Sequence, residues 1–227
     1  MFANVERVLV CAAHADDEVI GLGGTIARLS RQGVQVVMAT FTRGETAYPS
    51  EELKDRMAEI RAAEARATDR LLGISQRIQF DYPTRGLYNG PETLVDTMRL
   101  IRQVRPQVIF CHYSEDKHRD HRALAELIDE ARWKATEQLQ PDLGERWYTP
   151  WLLYFEVWEL FTHPMVLVDI SETYELKMKA LRAQTSQLQV MPGIVQFVES
   201  VSRARGAQAG RAYAEAFRIS DRLPVIV

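Results

Sequence analysis

Short apolar runs alternate with longer amphipathic segments through the first half of the chain. The apolar runs have the length of buried strands, and the segments between them repeat their apolar positions with a helical period. This pattern predicts strands over residues 8–12, 34–42, 77–83 and 107–112, and helices over residues 19–33, 51–72 and 91–106. Strands and helices that alternate in this way form βαβ units, so the pattern predicts an α/β fold with a parallel sheet.

The second half of the chain is less regular. The pattern predicts a helix over residues 121–136 and strands over residues 150–158 and 165–170. A further helix is expected to open at residue 171, with Ser171 as its N-cap, and to continue to residue 188; a last helix is expected over residues 203–217. No internal repeat or linker interrupts the sequence, which predicts a single domain over residues 1–227.

Composition narrows the class of protein. The chain has 227 residues, of which 46% are hydrophobic, and a formal net charge of -3. This balance points to no nucleic-acid partner, and no apolar run has the length of a membrane span. Residues 1–10 lack the features of a signal peptide. Cys11 and Cys111 both lie in predicted strands, which favours buried free thiols and a cytoplasmic location over a disulfide framework.

Two polar clusters follow predicted strands. The first is the stretch His-Ala-Asp-Asp-Glu at residues 14–18, and the second covers residues 112–121 and contains three of the five histidines of the protein. Ligands of parallel α/β sheets bind outside the carboxyl ends of the strands. The first and fourth strands can be neighbours at the switch point of the sheet, and the two clusters would then face each other.

The residue types of these clusters are those of a metal site. Imidazole and carboxylate groups are the ligands of catalytic zinc sites that have three protein ligands. A divalent cation also gives a reason for three consecutive carboxylates, because it reverses their mutual repulsion. His14 and Asp17 are three residues apart and can reach one point from a turn that enters a helix, while His121 can supply a third ligand.

Other members of the clusters fit the chemistry of hydrolysis. Asp16 stands between two ligands in the sequence and can take a proton from water at the metal. His118 has Asp120 two residues away, and a carboxylate near an imidazole raises its basicity. We therefore expect His118 to be cationic near neutral pH and able to stabilise an oxyanion or to protonate a leaving amine.

Structural roles stay open for each cluster taken alone. Asp16 or Asp17 can cap the following helix, His121 can begin a helix, and His112 can be a buried histidine at a strand end. His163 lies in a loop without acidic neighbours and is interpreted as structural or exposed. The position of both clusters at the carboxyl ends of strands favours a functional site.

The glycines at positions 21, 23 and 24 do not fit a dinucleotide-binding turn. They follow the acidic cluster and lie inside a predicted helix, whereas that motif places its glycines between strand and helix. They predict close packing of the helix on the sheet or a close approach of the backbone to the site.

Taken together, the two clusters resemble the motifs of the PIG-L/LmbE-like deacetylases, zinc-dependent de-N-acetylases of N-acetylglucosamine-containing substrates. The family motif Ala-His-Pro-Asp-Asp-Glu stands here at residues 13–18, and its His-x-Asp-His motif stands at residues 118–121. Weaker similarities cover nearly the whole chain: Gly23-Gly24-Thr25, Arg43-Gly44-Glu45, Arg61-x-x-Glu64 before Leu72-Gly73, residues 177–187 and residues 213–217. The resemblance implies a Rossmann-like three-layer sandwich with a mainly parallel sheet.

The resemblance also implies a role for each candidate residue, by position. By this resemblance, one zinc ion per chain is bound by His14, Asp17 and His121, and Asp16 is the general base. His118 stabilises the tetrahedral intermediate, with Asp120 as its partner. Substrate binding is expected at Arg61, Glu45 and Lys117. The expected reaction removes an acetyl group from an N-acetylated amino sugar and releases acetate and a free amine. A homo-oligomer is expected from the resemblance alone.

Two departures from the family pattern bear on the site. Ala15 replaces the usual proline, which loosens the turn because proline fixes φ, but it removes no ligand. Lys117 stands where some members carry Tyr or Arg, so the identity of the substrate stays open. Two alternatives therefore remain, namely a metal-dependent hydrolase of another amide or ester and a non-catalytic metal or sugar binder.

Overall fold

The described strands of the protein form one seven-stranded sheet in a computed structural model that describes residues 4–138 and 140–221. The strands are β1 Arg7–Ala12, β2 Gln35–Thr42, β3 Gln76–Tyr82, β4 Val108–His112, β5 Trp151–Phe155, β6 Val166–Asp169 and β7 Ala214–Ile219. Their order across the sheet is β3-β2-β1-β4-β5-β7-β6. Neighbours from β3 to β5 pair parallel, and β7 pairs antiparallel with both β5 and β6. The predicted mainly parallel sheet is confirmed.

Helices connect the strands. The α-helices of the described chain are α1 Asp17–Arg31, α2 Met57–Leu72, α3 Pro91–Val104, α4 Arg119–Lys134, α5 Tyr174–Ala183, α6 Thr185–Val190 and α7 Ile194–Ala209. Short 3-10 helices cover Glu51–Arg56 and Pro141–Leu143. Among the described residues, none of these helices combines the length and the apolar character that crossing a membrane requires.

The two faces of the sheet carry separate hydrophobic cores. Successive residues of a strand face opposite sides, so Val8 and Val10 of β1 pack in one core with residues of α1, α5 and α7. Leu9 and Cys11 pack in the other core with residues of α3 and α4. Helices therefore cover both faces, which confirms the expected three-layer sandwich. Cys11 and Cys111 are buried free thiols, as predicted.

Strand β1 lies at the switch point of the sheet. Val8 pairs with Val36 of β2 on one side and with Val108 of β4 on the other. Since β1, β2 and β4 are parallel, the segments that follow β1 and β4 leave the sheet at the same edge. The expected juxtaposition of the two polar clusters is confirmed by this strand order.

The end of the chain differs from the prediction of a helix over residues 203–217. Helix α7 ends at Ala209, Gly210 adopts the left-handed conformation with φ 64°, and β7 follows. Ala214, Glu215 and Ala216 are residues of good or moderate helix propensity. Their backbone nevertheless pairs with β6, and residues 217–219 of the same strand pair with β5; this pairing overrides the local preference.

Helix α1 packs tightly because of its glycines. A Cβ atom on Gly21 would lie 2.5 Å from a ring carbon of Phe155, and one on Gly24 would lie 2.7 Å from Ile170. No ordinary Cβ contact is that short, so any larger residue would push the helix away from these neighbours. The prediction of close helix packing by this glycine group is confirmed.

A buried ion pair occupies an interruption of α1 at Leu22, which has φ −147° and ψ 22°. The Lys177 ammonium donates to the carbonyl of Ile20 at 2.9 Å and to Glu215 Oε1 at 2.7 Å. The same Glu215 oxygen accepts the N–H of Gly24 at 2.9 Å. The Ile20 carbonyl and the Gly24 N–H would pair in an unbroken helix, so the ion pair satisfies groups that the interruption frees.

Other helix ends differ in detail from the prediction. The single helix expected from residue 171 is two helices, α5 and α6, that meet at Gln184. The N-cap of α5 is Thr173 rather than Ser171, whose hydroxyl instead donates to Asp169 Oδ1 at 2.7 Å. The helix expected from residue 51 begins with the 3-10 turn before α2.

Candidate active site

The first polar cluster forms a tight turn between β1 and α1. Asp17 is the first residue of α1, and its Oδ2 atom accepts the N–H of His14 at 2.8 Å. Asp16 is the N-cap, but among the described residues its side chain makes no capping hydrogen bond. The capping interpretation therefore fits neither carboxylate. The side chains of His14 and Asp17 point to one place.

Three potential ligand atoms converge between the two clusters. Asp17 Oδ2 lies 3.1 Å from His14 Nδ1 and 3.3 Å from His121 Nε2, and the two nitrogens are 3.3 Å apart. Ligands at about 2.0–2.2 Å from a tetrahedral ion are separated by roughly 3.3–3.5 Å, so this triangle has the size of one face of such a site. The residues present therefore fit a divalent metal ion.

A carboxylate holds the second ring nitrogen of each imidazole. His14 Nε2 lies 3.2 Å from Asp120 Oδ2, and His121 Nδ1 lies 3.0 Å from Asp116 Oδ1. Histidines that bind metals are oriented by such partners, which also raise the basicity of the ligating nitrogen. Asp120 and Asp116 thus leave His14 Nδ1 and His121 Nε2 directed toward Asp17.

The carboxylates give the site a strong preference for positive charge. Burial alone lowers the pKa of His14, but Asp17 and Asp120 outweigh it and raise that pKa to about 9. The same balance holds at His121, where Asp17 and Asp116 raise the pKa to about 10. Burial opposes the charged form of Asp17, yet the surrounding histidines hold its pKa well below the ordinary value. The pocket is therefore electrostatically suited to a cation.

His112 packs against two of the candidate ligands, His121 and Asp17. Its ring stacks on that of His121 with centroids 3.8 Å apart, and its Nε2 atom accepts the N–H of Ala13 at 3.0 Å. The same nitrogen lies 3.3 Å from Asp17 Oδ2. Two groups of described residues place three potential ligand atoms within 4.8 Å of one another, and both include His121: His14 with His118 and His121, and Asp17 with His112 and His121.

Asp16 faces an arginine. Arg61 Nη2 of α2 lies 2.9 Å from Asp16 Oδ1, and both side chains are buried. Gly44, with φ 70°, lies against the arginine, because a Cβ atom there would come within 2.8 Å of Arg61 Cδ. The glycine of the Arg-Gly-Glu stretch is thus required by conformation and by close approach. The expected base and the expected substrate-binding arginine are direct neighbours.

His118 is the N-cap of α4, and its environment differs from the expectation. Its Nδ1 atom accepts the backbone N–H of Asp120 at 3.2 Å, whereas the Asp120 carboxylate contacts His14 and accepts the N–H of Arg85. Burial, together with the nearby His14 and His121, lowers the pKa of His118. The expectation of a cationic His118 paired with the Asp120 carboxylate is therefore wrong for this structure.

These groups open into one cavity of about 130 Å³. Its lining combines the candidate chemistry with residues from distant loops: His14, Asp16, Asp17, Gly44, Thr46, Ala47, Arg61, Thr84, Arg85, His118, Trp158, Gln187 and Met191. A substrate group that enters this cavity meets His14 and Asp17 of the metal triangle together with Asp16 and His118, while His121, the third member, is fully buried.

The sequence matches the family described as PIG-L, GlcNAc-PI de-N-acetylase, over residues 9–132, more than half of the chain. The chain belongs to the PIG-L family. The matched range contains both polar clusters and the Arg61 helix, so every described residue of the metal triangle lies inside it.

Relatives within and around the PIG-L family agree with this assignment. The diacetylchitobiose deacetylase of Thermococcus kodakarensis is 27% identical over 234 residues, which cover 96% of this chain and 84% of that protein. The structure of N,N'-diacetylchitobiose deacetylase from Pyrococcus horikoshii has a TM-score of 0.88 and 28% identity, and the match covers 97% of this chain and 86% of that one.

A third structure limits what the fold alone can show. The 4-carboxy-2-hydroxymuconate hydratase of Pseudomonas putida has a TM-score of 0.85 and 24% identity, and the match covers 98% of each chain. It shares the architecture and is described by a different reaction. The function of this PIG-L protein must therefore be argued from its site.

Two positions that the family resemblance assigned to substrate binding lie outside the described cavity lining. Glu45 accepts hydrogen bonds from the N–H and the hydroxyl of Thr84, at 3.0 and 2.7 Å, and so holds a lining residue in place. The Lys117 side chain is 74% exposed, and its ammonium lies 3.7 Å from Glu159. Arg61 lines the cavity, and substrate binding by all three stays a prediction.

Glu18, the last carboxylate of the first cluster, is fully buried and faces away from the candidate ligands toward Arg77. Its Oε1 atom accepts from Arg77 Nη2 at 2.7 Å, and the same nitrogen lies 2.7 Å from Asp69 Oδ1. Arg77 is in β3 and Asp69 is in α2. Glu18 therefore ties the start of α1 to neighbouring elements.

Asp116 is the main site residue that the sequence reasoning left without a role. Its Oδ1 atom contacts His121 and accepts the N–H of His118 at 2.8 Å, while its Oδ2 atom accepts the N–H of Trp158 at 3.0 Å. The available signal was an acidic residue inside the second cluster, five positions before a predicted ligand. Only the fold shows that this carboxylate turns back toward His121.

Proposed function

We propose that this protein is a metal-dependent hydrolase that removes the acetyl group from an N-acetylglucosamine-type substrate and releases acetate and a free amine. The observation that carries the proposal is the convergence of the His14, Asp17 and His121 ligand atoms, 3.1–3.3 Å apart, beside a cavity that is lined by His14, Asp17, Asp16 and His118. These are the groups that hydrolysis of an amide needs: a metal site, a base and a hydrogen-bond donor.

Zinc is the metal that we propose for the site, one ion per chain. Two imidazoles, each with its outer nitrogen held by a carboxylate, and one carboxylate form a ligand set typical of catalytic zinc. When bound, the ion would polarise the acetamide carbonyl and acidify the attacking water. His14, Asp17 and His121 would hold it.

Asp16 acts as the base. Its carboxylate takes a proton from the water that attacks the carbonyl carbon, and the ion pair with Arg61, at 2.9 Å, fixes its position. The protonated Asp16 gives this proton to the nitrogen of the tetrahedral intermediate as the C–N bond breaks. Acetic acid and the amine are formed and Asp16 is ionised again; the remaining proton of the acid passes to the amine, so the final products are acetate and the ammonium form of the amino sugar.

His118 acts as a neutral donor. Its Nδ1 atom accepts the N–H of Asp120 at 3.2 Å, so the proton of the neutral ring lies on Nε2. Nε2–H can donate to the oxyanion of the tetrahedral intermediate. Removal of one such donor typically lowers kcat by about 10²–10³-fold. Asp120 contributes by orienting His14 with its carboxylate and His118 with its backbone.

The substrate class rests on the relatives. Two deacetylases of diacetylchitobiose, a disaccharide of N-acetylglucosamine units, are 27% and 28% identical over nearly the whole chain. From these relatives we infer that the substrate of this protein also carries an acetamide group on an amino sugar. The group attached to that sugar is left open, because Lys117 stands where some family members carry Tyr or Arg.

The decisive experiment measures acetate release by zinc-loaded protein from N-acetylglucosamine and N,N'-diacetylchitobiose. The wild type should release acetate, protein stripped by a chelator should not, and zinc should restore the activity. Asp16→Ala should reduce release by about 10²–10⁴-fold while keeping its zinc. Equal release by wild type and Asp16→Ala would overturn the mechanism.

A panel of simple acetamides and acetate esters, measured beside the sugars, separates the alternatives. Turnover of these compounds with none of the sugars would favour a hydrolase of another amide or ester. Zinc binding without any turnover would favour a non-catalytic member of the family.

A further inference from the structure

The loop between β5 and β6 contributes one side of the cavity. Trp158, in this loop, lines the cavity together with Asp16, Asp17 and His118. Sequence motifs do not mark this loop, which lies outside the range that matches the family, residues 9–132. The proposed roles of the metal ligands and of the base therefore assign no function to Trp158.

The first part of the loop is held at two points. Asp116 Oδ2 accepts the N–H groups of Trp158 and Glu159, at 3.0 and 3.3 Å. Glu156, the first residue of the loop, accepts the N–H of Phe161 and forms a buried ion pair with Arg205 of α7. The loop backbone is thus fixed before any substrate arrives, as a wall that positions a substrate has to be.

Asp116 also ties the loop to the metal triangle. The same carboxylate contacts His121 Nδ1 at 3.0 Å through its other oxygen. Trp158 therefore has a defined position relative to the ligand His121, with only one side chain between them. A ring placed in this way can set where the body of a substrate lies when its acetyl group reaches the metal site.

The indole is half-buried and backed by apolar side chains. Its ring lies 6.0 Å from the ring of Phe197 between centroids, and Met191 also contributes to the cavity lining. The other side chains at the rim are mainly polar or charged, among them Arg85 and Thr84. The cavity lining thus includes the apolar side chains of Trp158 and Met191 among mainly polar or charged groups.

We propose that Trp158 is a specificity-determining residue, the apolar platform on which the pyranose ring of the substrate packs. A pyranose presents C–H groups on its faces and hydroxyls around its edge, which matches an aromatic surface beside polar groups. An acyclic acetamide presents no such face. The inference rests on the proposed function, because it concerns the sugar that carries the acetyl group.

The test compares Trp158→Ala, Trp158→Leu and Trp158→Phe with Trp133→Ala as a matched control. Trp133 lies on α4, is 49% exposed and is not part of the cavity lining. With zinc-loaded protein, KM for N-acetylglucosamine should rise about tenfold in Trp158→Ala and Trp158→Leu, with kcat changed less than threefold. Trp158→Phe should keep most of the affinity, and Trp133→Ala should match the wild type.

Two further readings separate stacking from a structural effect. Hydrolysis of N-acetylethanolamine, an acyclic acetamide, should have the same kcat/KM in wild type and Trp158→Ala. Zinc content should also be unchanged, because the backbone contact to Asp116 remains. If Trp158→Ala does not fold, the comparison of the Leu and Phe variants decides, since only Phe keeps an aromatic face.

The failure of this inference differs from the failure of the proposed function. Acetate release by the wild type with an unchanged KM in Trp158→Ala and Trp158→Leu overturns the inference alone. If no variant releases acetate, calorimetric titration of zinc-loaded Asp16→Asn protein with N-acetylglucosamine still decides. Binding that Trp158→Ala weakens about tenfold supports the platform, and binding that is absent or unaffected overturns it.

Discussion

Asp116 joins two parts of the site through one carboxylate. One oxygen contacts the ring of His121, and the other accepts two N–H groups of the loop that carries Trp158. His121 has no other carboxylate at its Nδ1 atom among the described contacts. The orientation of this ligand therefore depends on a residue that no short motif marks.

Replacement of Asp116 by Asn tests this dependence. Asparagine keeps an oxygen for the loop but weakens the hold on His121 and lowers the basicity of its ligating nitrogen. Zinc affinity should fall about 10–100-fold, measured by competition with a chromogenic chelator. Asp81→Asn is the control, because Asp81 is an exposed carboxylate of β3. Equal affinities of the two variants would contradict the assigned role.

At the scale of single residues, the sequence predicts identities better than contacts. The convergence of His14, Asp17 and His121 followed from residue type and spacing, and the structure brings their ligand atoms together. Asp120 was expected on His118 because the two are close in the sequence. Its carboxylate reaches His14 instead, 106 positions away, since β1 and β4 are neighbours in the sheet.

Helix α1 shows how an element is shaped by its surroundings. The turn at its start carries Asp17, and its interruption at Leu22 is filled by Lys177 of α5 and Glu215 of β7. These partners are separated from α1 by more than half of the chain. The break is therefore a property of the packed protein, and a helical period alone does not reveal it.

Lys177→Met should strongly destabilise the fold. It leaves Glu215 buried without its cation and the Ile20 carbonyl without its donor, which costs about 3–5 kcal/mol. The free energy of unfolding from urea titration measures this loss. Lys179→Met, at an exposed position of the same helix, is the control. A loss no larger than that of the control would show that the pair does not support the break.

Gly24→Ala tests the close packing of α1. The new methyl group would lie 2.7 Å from Ile170, so the helix must shift, at a cost of about 1–3 kcal/mol in the free energy of unfolding. Gly193→Ala offers a comparison, because a Cβ atom there meets nothing within 4 Å among the described atoms. Equal urea midpoints for the two variants would refute the packing argument.

For the whole molecule, the proposed metal site lies at the switch point of the sheet, beyond the ends of β1 and β4. The ligands come from the segments after β1 and β4, so a bound ion links α1 to α4 across the switch point. The unfolded chain has no such site, and metal binding therefore adds to the stability of the folded state.

Zinc at 100 times its Kd should stabilise the fold by about 2.7 kcal/mol. For a chain of this size, that raises Tm by roughly 5–10 °C, measured by calorimetry of chelator-stripped protein before and after zinc is added. His121→Ala should lose this increase because one ligand is missing. An equal increase in that variant would place the ion elsewhere. The single domain over residues 1–227, the cytoplasmic location and the homo-oligomer stay predictions.

The sequence alone determined the class of fold and the chemistry of the site. Apolar periodicity predicted four strands and the helices between them, because burial of one face imposes its period on the chain. Residue type predicted metal ligands, because few side chains bind a divalent cation. Both are local properties of the chain; the structure confirms the class of fold and places the ligand atoms of His14, Asp17 and His121 3.1–3.3 Å apart.

Tertiary structure decided the rest. Residues 214–219 form a strand, because backbone pairing with β5 and β6 outweighs their helix propensity. The fold places the Asp120 carboxylate against His14 and the Asp116 carboxylate against His121. It also places Trp158, which lies outside the family motifs, in the cavity lining. The contact of Asp120 with His14 and the place of Trp158 depend on the packing of the sheet, whereas Asp116 reaches His121, five positions away, through the turn that follows β4. Apolar periodicity encodes neither.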